Sequence, residues 1–361
     1  MATRADCVVL SHVIVDDLHF ASGGERRGVL GGAGTYAAAG VRLAGGGAGI
    51  ACGVGEDFAG SAHAAWFDGN GIDTAGLEPR GRRTPRSTVV YHREDARTET
   101  PAYGEEHFTR MRPRIDRLPA SYRAARGYYI FRDHDAAFWH EAAALRAATG
   151  AVVLWELHAA AAVAARWPAV AARLARVDLV SLNLAEGRRL CSTREARTPE
   201  ARVRAARMPL GVPASSAGQR LAGQRPAGRR PAGPPSRLRR PPGTAPEPRM
   251  GEAQEIAARL LATGVGAVAL RLGAHGALLA RPPAEYRHIP AWPTTVVDST
   301  GAGNAFGGAL LAAVAAGDDW LSAACGASAA ASLMLAQHGP PPRLDARRRD
   351  WLRRRDLLLA G

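Results

Sequence analysis

The stretch TTVVDSTGAGNAFGGALLAAVAAG, Thr294–Gly317, decides the fold. The β-branched run Thr294–Val297 meets a glycine-rich turn at Gly301-Ala302-Gly303, and mostly small, apolar residues follow as far as Gly317. This pattern predicts a strand, a tight turn and a helix N-terminus. The first backbone N–H groups of such a helix lack carbonyl partners, and the helix dipole adds to their positive end, so the turn suits a phosphate. Glycine is needed there because a side chain would block the approach of an anion. An ordinary strand-to-helix turn has the same letters, so the surrounding segments must decide between the two.

Working outward, strands and helices alternate. Cys7 to Val15 reads as a strand ending at Asp16-Asp17. Val29 to Gly60 reads as a glycine turn, a small-residue helix, and a strand into Gly53-Val54-Gly55. RSTVVYHRED and ARTETPAY form a hairpin over 87–103. GYYIFRD (127–133) is a strand, and 134–150 a helix closed by Gly150. AVVLWEL (151–157) and VDLVSLN (177–183) are buried strands with a helix between them. The helix 252–264 and the strands AVALRLG (267–273) and HGALLA (275–280) follow, and helices over 304–316 and 319–336 close the series. The alternation implies an α/β fold: a doubly wound, mainly parallel sheet with helices on both faces, in a single domain over 5–340. Ligands in such sheets sit beyond the carboxyl ends of the strands. Asp16, the glycines of 31–34, Asn183, Gly273 and the 301–304 turn all fall there, which predicts one site built from distant segments.

Composition narrows the chemistry. All 47 basic residues are arginine. Without lysine there can be no P-loop lysine, no pyridoxal Schiff base and no protein-kinase strand lysine. The net charge of +14 is concentrated in two places. Residues 188–250 hold 15 arginines against three acids, and residues 341–361 hold seven against three. The rest of the chain is close to neutral, so the basic balance does not indicate a nucleic-acid-binding fold. Residues 209–250 read as a disordered, proline- and arginine-rich insert with RPAG at 225–228 and 230–233, and 341–361 as a basic C-terminal tail. Cys7, Cys52, Cys191 and Cys325 are far apart, which suggests reduced thiols rather than a zinc site or a disulfide framework. No apolar run approaches the roughly 18 residues of a membrane span, and the N-terminus lacks the order of a signal peptide, so a cytoplasmic location is expected. Asp133, His134, Asp135 and His140 lie close in sequence but off a common helix face; a helix start capped by Asp135 is the expected reading rather than a metal site.

Taken together, the motifs resemble the PfkB/ribokinase family of carbohydrate kinases. Gly31-Gly32 with the helix after it and ACGVGEDFAG resemble the family's first signature. GNGIDTAGL (69–77) resembles its G-[VI]-D-T step, Asn183 and Glu186 its N-x-x-E motif, and RLGAHGALL its strand turn. VVDSTGAGNAF resembles the second signature, usually D-T-x-G-A-G-D-x-F, and ACGASAAASLMLAQHG the helix that covers the nucleotide. Six motifs in the correct order cover most of the chain outside the insert and the tail. VIVDDLHF, GGAGTYAAAGVRL, the Trp155-Glu156 pair and G-A-G-N are most similar to the fungal maintenance-of-killer branch.

The resemblance implies a ribokinase-like fold with a small β lid near 84–108, and ATP and Mg²⁺ as cofactors. It implies an anion hole at Gly301, Ala302 and Gly303. Asp16, Gly31 and Gly32 would meet the acceptor, although a strand-end acid and a plain loop would look the same. Asn183 and Glu186 would orient water on Mg²⁺ with no direct metal ligand, although they also spell a capping box. Arg271, Gly273 and Gly276 fall on the nucleotide side; Asp298 and Thr300 shape the turn beside a monovalent cation. A homodimer, with no membrane or nucleic-acid partner, completes the expectation.

The departure is Asn304, where the family places its aspartate base. An amide has no useful basicity, and losing a general base costs about 10²–10⁴-fold. Asn caps a helix about as well as Asp, so the fold and the anion hole can survive the exchange. Two readings stand. One is an ATP-dependent phosphotransferase acting on a sugar-like hydroxyl. The other is a non-catalytic nucleotide or metabolite binder, or a scaffold in ribonucleoprotein or particle maintenance. RNA binding through the arginine-rich insert is a third and weaker reading.

Overall fold

The computed structural model describes residues 5–92, 97–133, 135–192 and 250–361. Its strands are β1 (Cys7–Leu10), β2 (Ile14–His19), β3 (Glu25–Gly31), β4 (Ala48–Val54), β5 (Ile72–Pro79), β6 (Arg86–Tyr91), β7 (Arg97–Pro101), β8 (Gly127–Arg132), β9 (Val152–Leu157), β10 (Leu179–Asn183), β11 (Ala267–Arg271), β12 (Ala277–Arg281) and β13 (Glu285–Ile289). The helices that matter below are α1 (Ala33–Leu43), α2 (Ala62–Gly69), α3 (Gly104–Arg110), α4 (Ala136–Thr149), α5 (Trp167–Leu174), α6 (Leu184–Cys191), α7 (Met250–Leu261), α8 (Ala302–Ala316), α9 (Trp320–Met334) and α10 (Asp345–Ala360).

Nine strands form one sheet in the order β13-β12-β11-β10-β9-β8-β1-β4-β5. From β5 to β11 every pairing is parallel; β12 and β13 extend that edge antiparallel. Strand alternation fills both faces. Cys7 and Val9 of β1 point into one core with α1, α8 and α9, while Val8 and Leu10 point into a second core with α4, α5 and α7. The order reverses between β1 and β8, with β4 and β5 on one side and β8 onward on the other. A crevice at the carboxyl ends opens at such a switch point, and α8 packs over β8 and β9 beside it.

Helices α1 and α8 touch backbone to backbone. A Cβ on Gly308 would stand 2.0 Å from the Ala37 carbonyl oxygen, and one on Gly40 would stand 2.1 Å from that of Ala305. The small residues that follow the opening turn thus allow α8 to lie flat on α1.

A second sheet, in the order β3-β2-β6-β7, covers the crevice. The expected hairpin is present as the antiparallel pair β6–β7, and β6 pairs in parallel with β2.

Three expectations need correction. Cys7–Val15 is not one strand: the chain turns after Leu10, and Ile14–His19 joins the second sheet, which places Asp16 inside a lid strand. Thr294–Val297 is not a strand either. Val296 and Val297 are 53% and 49% exposed, and the N–H groups of Val297 and Asp298 donate to the Leu335 carbonyl at the end of α9. Among the described residues no neighbouring strand offers them a ladder, so β propensity has nothing to act on. Residues 341–361 are not a free tail: α10 packs on α9, and the Trp351 indole N–H donates to the Gly326 carbonyl at 2.8 Å. Arg348 and Arg355 lie over the Trp351 ring at 4.6 and 5.2 Å, so the arginines cover a buried aromatic. The insert expected at 209–250 lies outside the described residues except for Met250, which opens α7. The four cysteines are free, as expected of reduced thiols.

Candidate active site

The turn at the head of α8 has the expected geometry. Gly301 is the N-cap in the left-handed region, at φ 75°, and its carbonyl accepts the first helical bond from Ala305 N–H at 2.9 Å. The N–H groups of Ala302, Gly303 and Asn304 therefore have no intrahelical acceptor and point out of the helix end. Gly301 is required twice over: its φ suits glycine, and a Cβ would stand 2.0 Å from Cγ of Tyr36.

Asp298 holds the approach to the turn. Its Oδ1 accepts from Thr300 N–H at 2.8 Å and from the Thr300 hydroxyl at 2.6 Å. Its Oδ2 accepts from the Tyr91 hydroxyl at 2.9 Å and faces His338 Nδ1 at 3.3 Å. Both oxygens accept hydrogen bonds, which fixes the carboxylate against the turn. From the lid, Arg97 donates to the Thr300 hydroxyl and lies 3.9 Å from Asp298 Oδ1. Phe20, Tyr91 and His338 stack beside these bonds, so the lid is latched onto the turn.

Under the lid, Asp16, Tyr36, Tyr91, Arg97, Glu99, Asp298 and Thr300 line one cavity. Asp16 is 6% exposed, and its Oδ1 has no hydrogen-bond partner. Burial, reinforced by Glu99, Asp298 and Asp17 and opposed by Arg97, pushes its carboxyl well above the ordinary carboxylate range. Gly31 closes β3 against it: a Cβ there would stand 2.0 Å from Asp16 Oδ2. Gly32 is the N-cap of α1, at φ 89°.

A second group sits beneath the first turn of α8. Arg271, at the end of β11, was expected at the phosphates but points inward. Its Nη1 lies 2.5 Å from Glu156 Oε1 and donates to Ser181 Oγ at 2.9 Å and to the Gly303 carbonyl at 3.2 Å. Its Nη2 faces Glu186 at 3.8 Å. The buried charge is drawn to the carboxylates under the sheet surface rather than to solvent. Burial pushes Glu156 up to about 7, against the pull of Arg271.

Asn304 does not cap the helix, contrary to expectation. It lies three residues inside the cap, and its amide Nδ2 donates to the Tyr129 hydroxyl at 2.9 Å. Asn183 and Glu186 form the full capping box of α6: Asn183 N–H donates to Glu186 Oε2 at 2.7 Å, and Glu186 N–H to Asn183 Oδ1 at 2.9 Å. Glu186 Oε1 takes no part in the box. Gly273 and Gly276 both have positive φ in the turn after β11. Gly276 backs on the Ile289 carbonyl, and the space around Gly273 is open.

The fold thus brings Asp16, Asp298, Thr300 and the 301–303 turn to one crevice, with Asn304, Arg271, Glu186 and Asn183 beneath and beside the first turn of α8. Sequence reasoning missed Arg97, Tyr91, Glu99, Tyr36, Tyr129, Ser181 and the role of Glu156. A lone carboxylate inside the apolar run AVVLWEL was the available signal, because a buried charge needs a partner. Asp135 caps α4 as expected, accepting from Ala137 N–H at 3.0 Å, and His134 lies outside the described residues. Among the described residues no group of three or more metal-ligating side chains occurs, and no helix is long and apolar enough to cross a membrane.

Comparison with known proteins follows the same lines. Residues 245–346 match the model of the pfkB family carbohydrate kinases. Compared with curated proteins, the chain matches none. Among solved structures it is similar to a candidate ribokinase II from E. coli in complex with ATP and Mg²⁺ (18% identity, TM-score 0.64, covering 97% of this chain and 99% of that one). It is also similar to the Burkholderia thailandensis nucleoside kinase in complex with inosine (15%, 0.62, 95% and 96%). A third is the ribokinase from Cryptococcus neoformans var. grubii serotype A in complex with ADP (16%, 0.61, 96% and 99%). The described chain therefore has the ribokinase-like fold, and its residues 245–346 carry the pfkB family carbohydrate kinase match.

Proposed function

We propose that the chain transfers a phosphoryl group from ATP to a hydroxyl of a small sugar-like or nucleoside acceptor. The observation that carries this reading is the left-handed Gly301 cap. It presents the free N–H groups of Ala302, Gly303 and Asn304 from two residues after Thr300, which lines the cavity that holds Asp16. Phosphoryl transfer is mainly positioning and charge neutralisation, and this arrangement supplies both. The N–H groups and the α8 dipole hold the transferring phosphate, Asp16 accepts from acceptor hydroxyls, and the lid excludes water through Tyr91 and Arg97.

Mg²⁺ suits the donors present only through water, since Glu186 keeps one oxygen and Asn183 is committed to the capping box. When bound with ATP, the ion would neutralise charge on the phosphates.

A second reading rests on Asn304. With its amide tied to Tyr129 and no basicity of its own, the site can bind nucleotide without turnover. The likeness to the maintenance-of-killer branch, and a scaffold role in particle maintenance, belong to this reading. Calorimetry with ATP·Mg²⁺, followed by a turnover screen over sugars and nucleosides, separates the two. We expect binding and slow turnover by the wild type, with Asn304→Asp faster by about 10²-fold or more. Absence of ATP binding overturns the phosphate-cradle assignment. Binding with turnover by Asn304→Asp alone establishes the second reading for the natural chain.

A further inference from the structure

We propose that Asp16 takes over as the general base of this site. The inference rests on the phosphotransferase reading and asks where the acceptor proton goes when position 304 cannot hold it. Five carboxylates surround the turn, and four are bonded elsewhere or lie off the cavity. Asp298 has both oxygens bonded to Thr300, Tyr91 and His338. Glu156 pairs through Oε1 with Arg271; its Oε2 is also unpartnered, but it is buried against Gly307 of α8 and does not line the cavity under the lid. Glu186 has one oxygen in the α6 capping box and does not line the cavity under the lid. Glu99 accepts from Ser87 Oγ at 3.1 Å and lies on β7, the edge strand of the lid sheet.

Asp16 combines what the others do not: it lies on β2, an inner strand of the lid sheet, is at least nine-tenths buried, and has an unpartnered Oδ1 in the same cavity that Thr300 lines. The Tyr36 ring lines that cavity and also lies against Gly301 at the anion turn. An acceptor hydroxyl lying between Asp16 and the anion turn meets a carboxylate oxygen with no competing donor.

The step balances without a further reactant. The hydroxyl proton passes to the Asp16 carboxylate as the acceptor oxygen bonds to the γ-phosphorus. The bond from that phosphorus to the β–γ bridging oxygen breaks, and its electron pair leaves with ADP. The proton then returns to solvent when the lid opens.

The groups facing Asp16 set its pH response: Asp17 on its own strand, Glu99 and Arg97 on β7, Tyr91 on β6, Tyr36 on α1, and Asp298 with His338 behind it. Burial holds the proton on Asp16, Glu99, Asp298 and Asp17 add to it against Arg97, and the base forms only as pH rises.

The test is a double-mutant cycle of Asp16→Asn and Asn304→Asp, with kcat, KM and pH profiles. Asp16→Asn is expected to lower kcat by about 10²-fold or more in the wild-type background. In the Asn304→Asp background, where a carboxylate is restored in the usual place, it should lower kcat by about 10-fold or less and act mainly on KM. The wild-type kcat should climb with pH, with its limb above the ordinary carboxylate range, and Asn304→Asp should move that limb down. Equal Asp16→Asn losses in both backgrounds, or superimposable pH limbs for wild type and Asn304→Asp, overturn the inference. The pH comparison needs no Asp16 variant, so it decides even if Asp16→Asn folds poorly. Turnover by Asn304→Asp alone overturns the inference but leaves the fold's chemistry intact. Absence of turnover in both proteins, despite ATP binding, overturns the phosphotransferase reading itself.

Discussion

A methyl group at Gly301 would have to enter the Tyr36 ring from a left-handed backbone. The conformation costs about 1–2 kcal/mol for an ordinary residue, and forced repacking typically adds about 1–3. Gly301→Ala is therefore expected to lose about 3 kcal/mol in a denaturant titration and to abolish ATP binding in calorimetry. Glu156 makes a second prediction at this scale. Burial raises it from an ordinary 4.5 to about 7. A raised carboxyl favours the folded state while it is protonated, so this contribution is complete below about pH 4.5 and is lost as pH rises through about 7. Glu156→Gln should flatten the fall in stability across that window, read as denaturant midpoints at a series of pH values. Asn304 shows how a residue's identity and its role separate. Its lack of basicity follows from the letter alone. Its bond to Tyr129 instead of a helix cap depends on where β8 runs beneath α8.

At the level of elements, the lid is held by few bonds. Tyr91 reaches Asp298 and Arg97 reaches Thr300, while the β6–β7 pair has no third strand beyond β7. A hydrogen bond contributes about 1 kcal/mol net. Arg97→Ala should therefore speed amide exchange across β7 by about five- to tenfold and leave β8 to β11 unchanged, as hydrogen-exchange mass spectrometry would report. The helices were legible because caps and glycine stops are local: Asp135 opens α4 and Gly150 closes it at φ 66°. The strand expected at Thr294–Val297 failed because a strand needs a neighbour, and among the described residues none lies beside it. Cys7–Val15 split for the related reason that periodicity cannot tell which sheet a residue joins.

For the molecule as a whole, α10 closes the helical layer over α9. Trp351 is 3% exposed, and its indole is bonded to Gly326 and flanked by two arginines. Trp351→Ala should cost about 3–5 kcal/mol, a shift visible in the urea midpoint. The charge count made this segment read as a solvated tail, because composition records the guanidinium heads and not the stems that lie on an aromatic ring.

The sequence by itself determined the alternation of strands and helices, the glycine turn that opens α8, and the absence of a base at position 304. These depend on local backbone preference and on side-chain chemistry that no neighbour changes. Only the tertiary structure decided that Arg271 turns inward to Glu156, that Arg97 and Tyr91 latch the lid, and that Asp16 keeps an unpartnered oxygen in the crevice. Each of those depends on which distant segments meet, and buried charges take the partners the fold supplies.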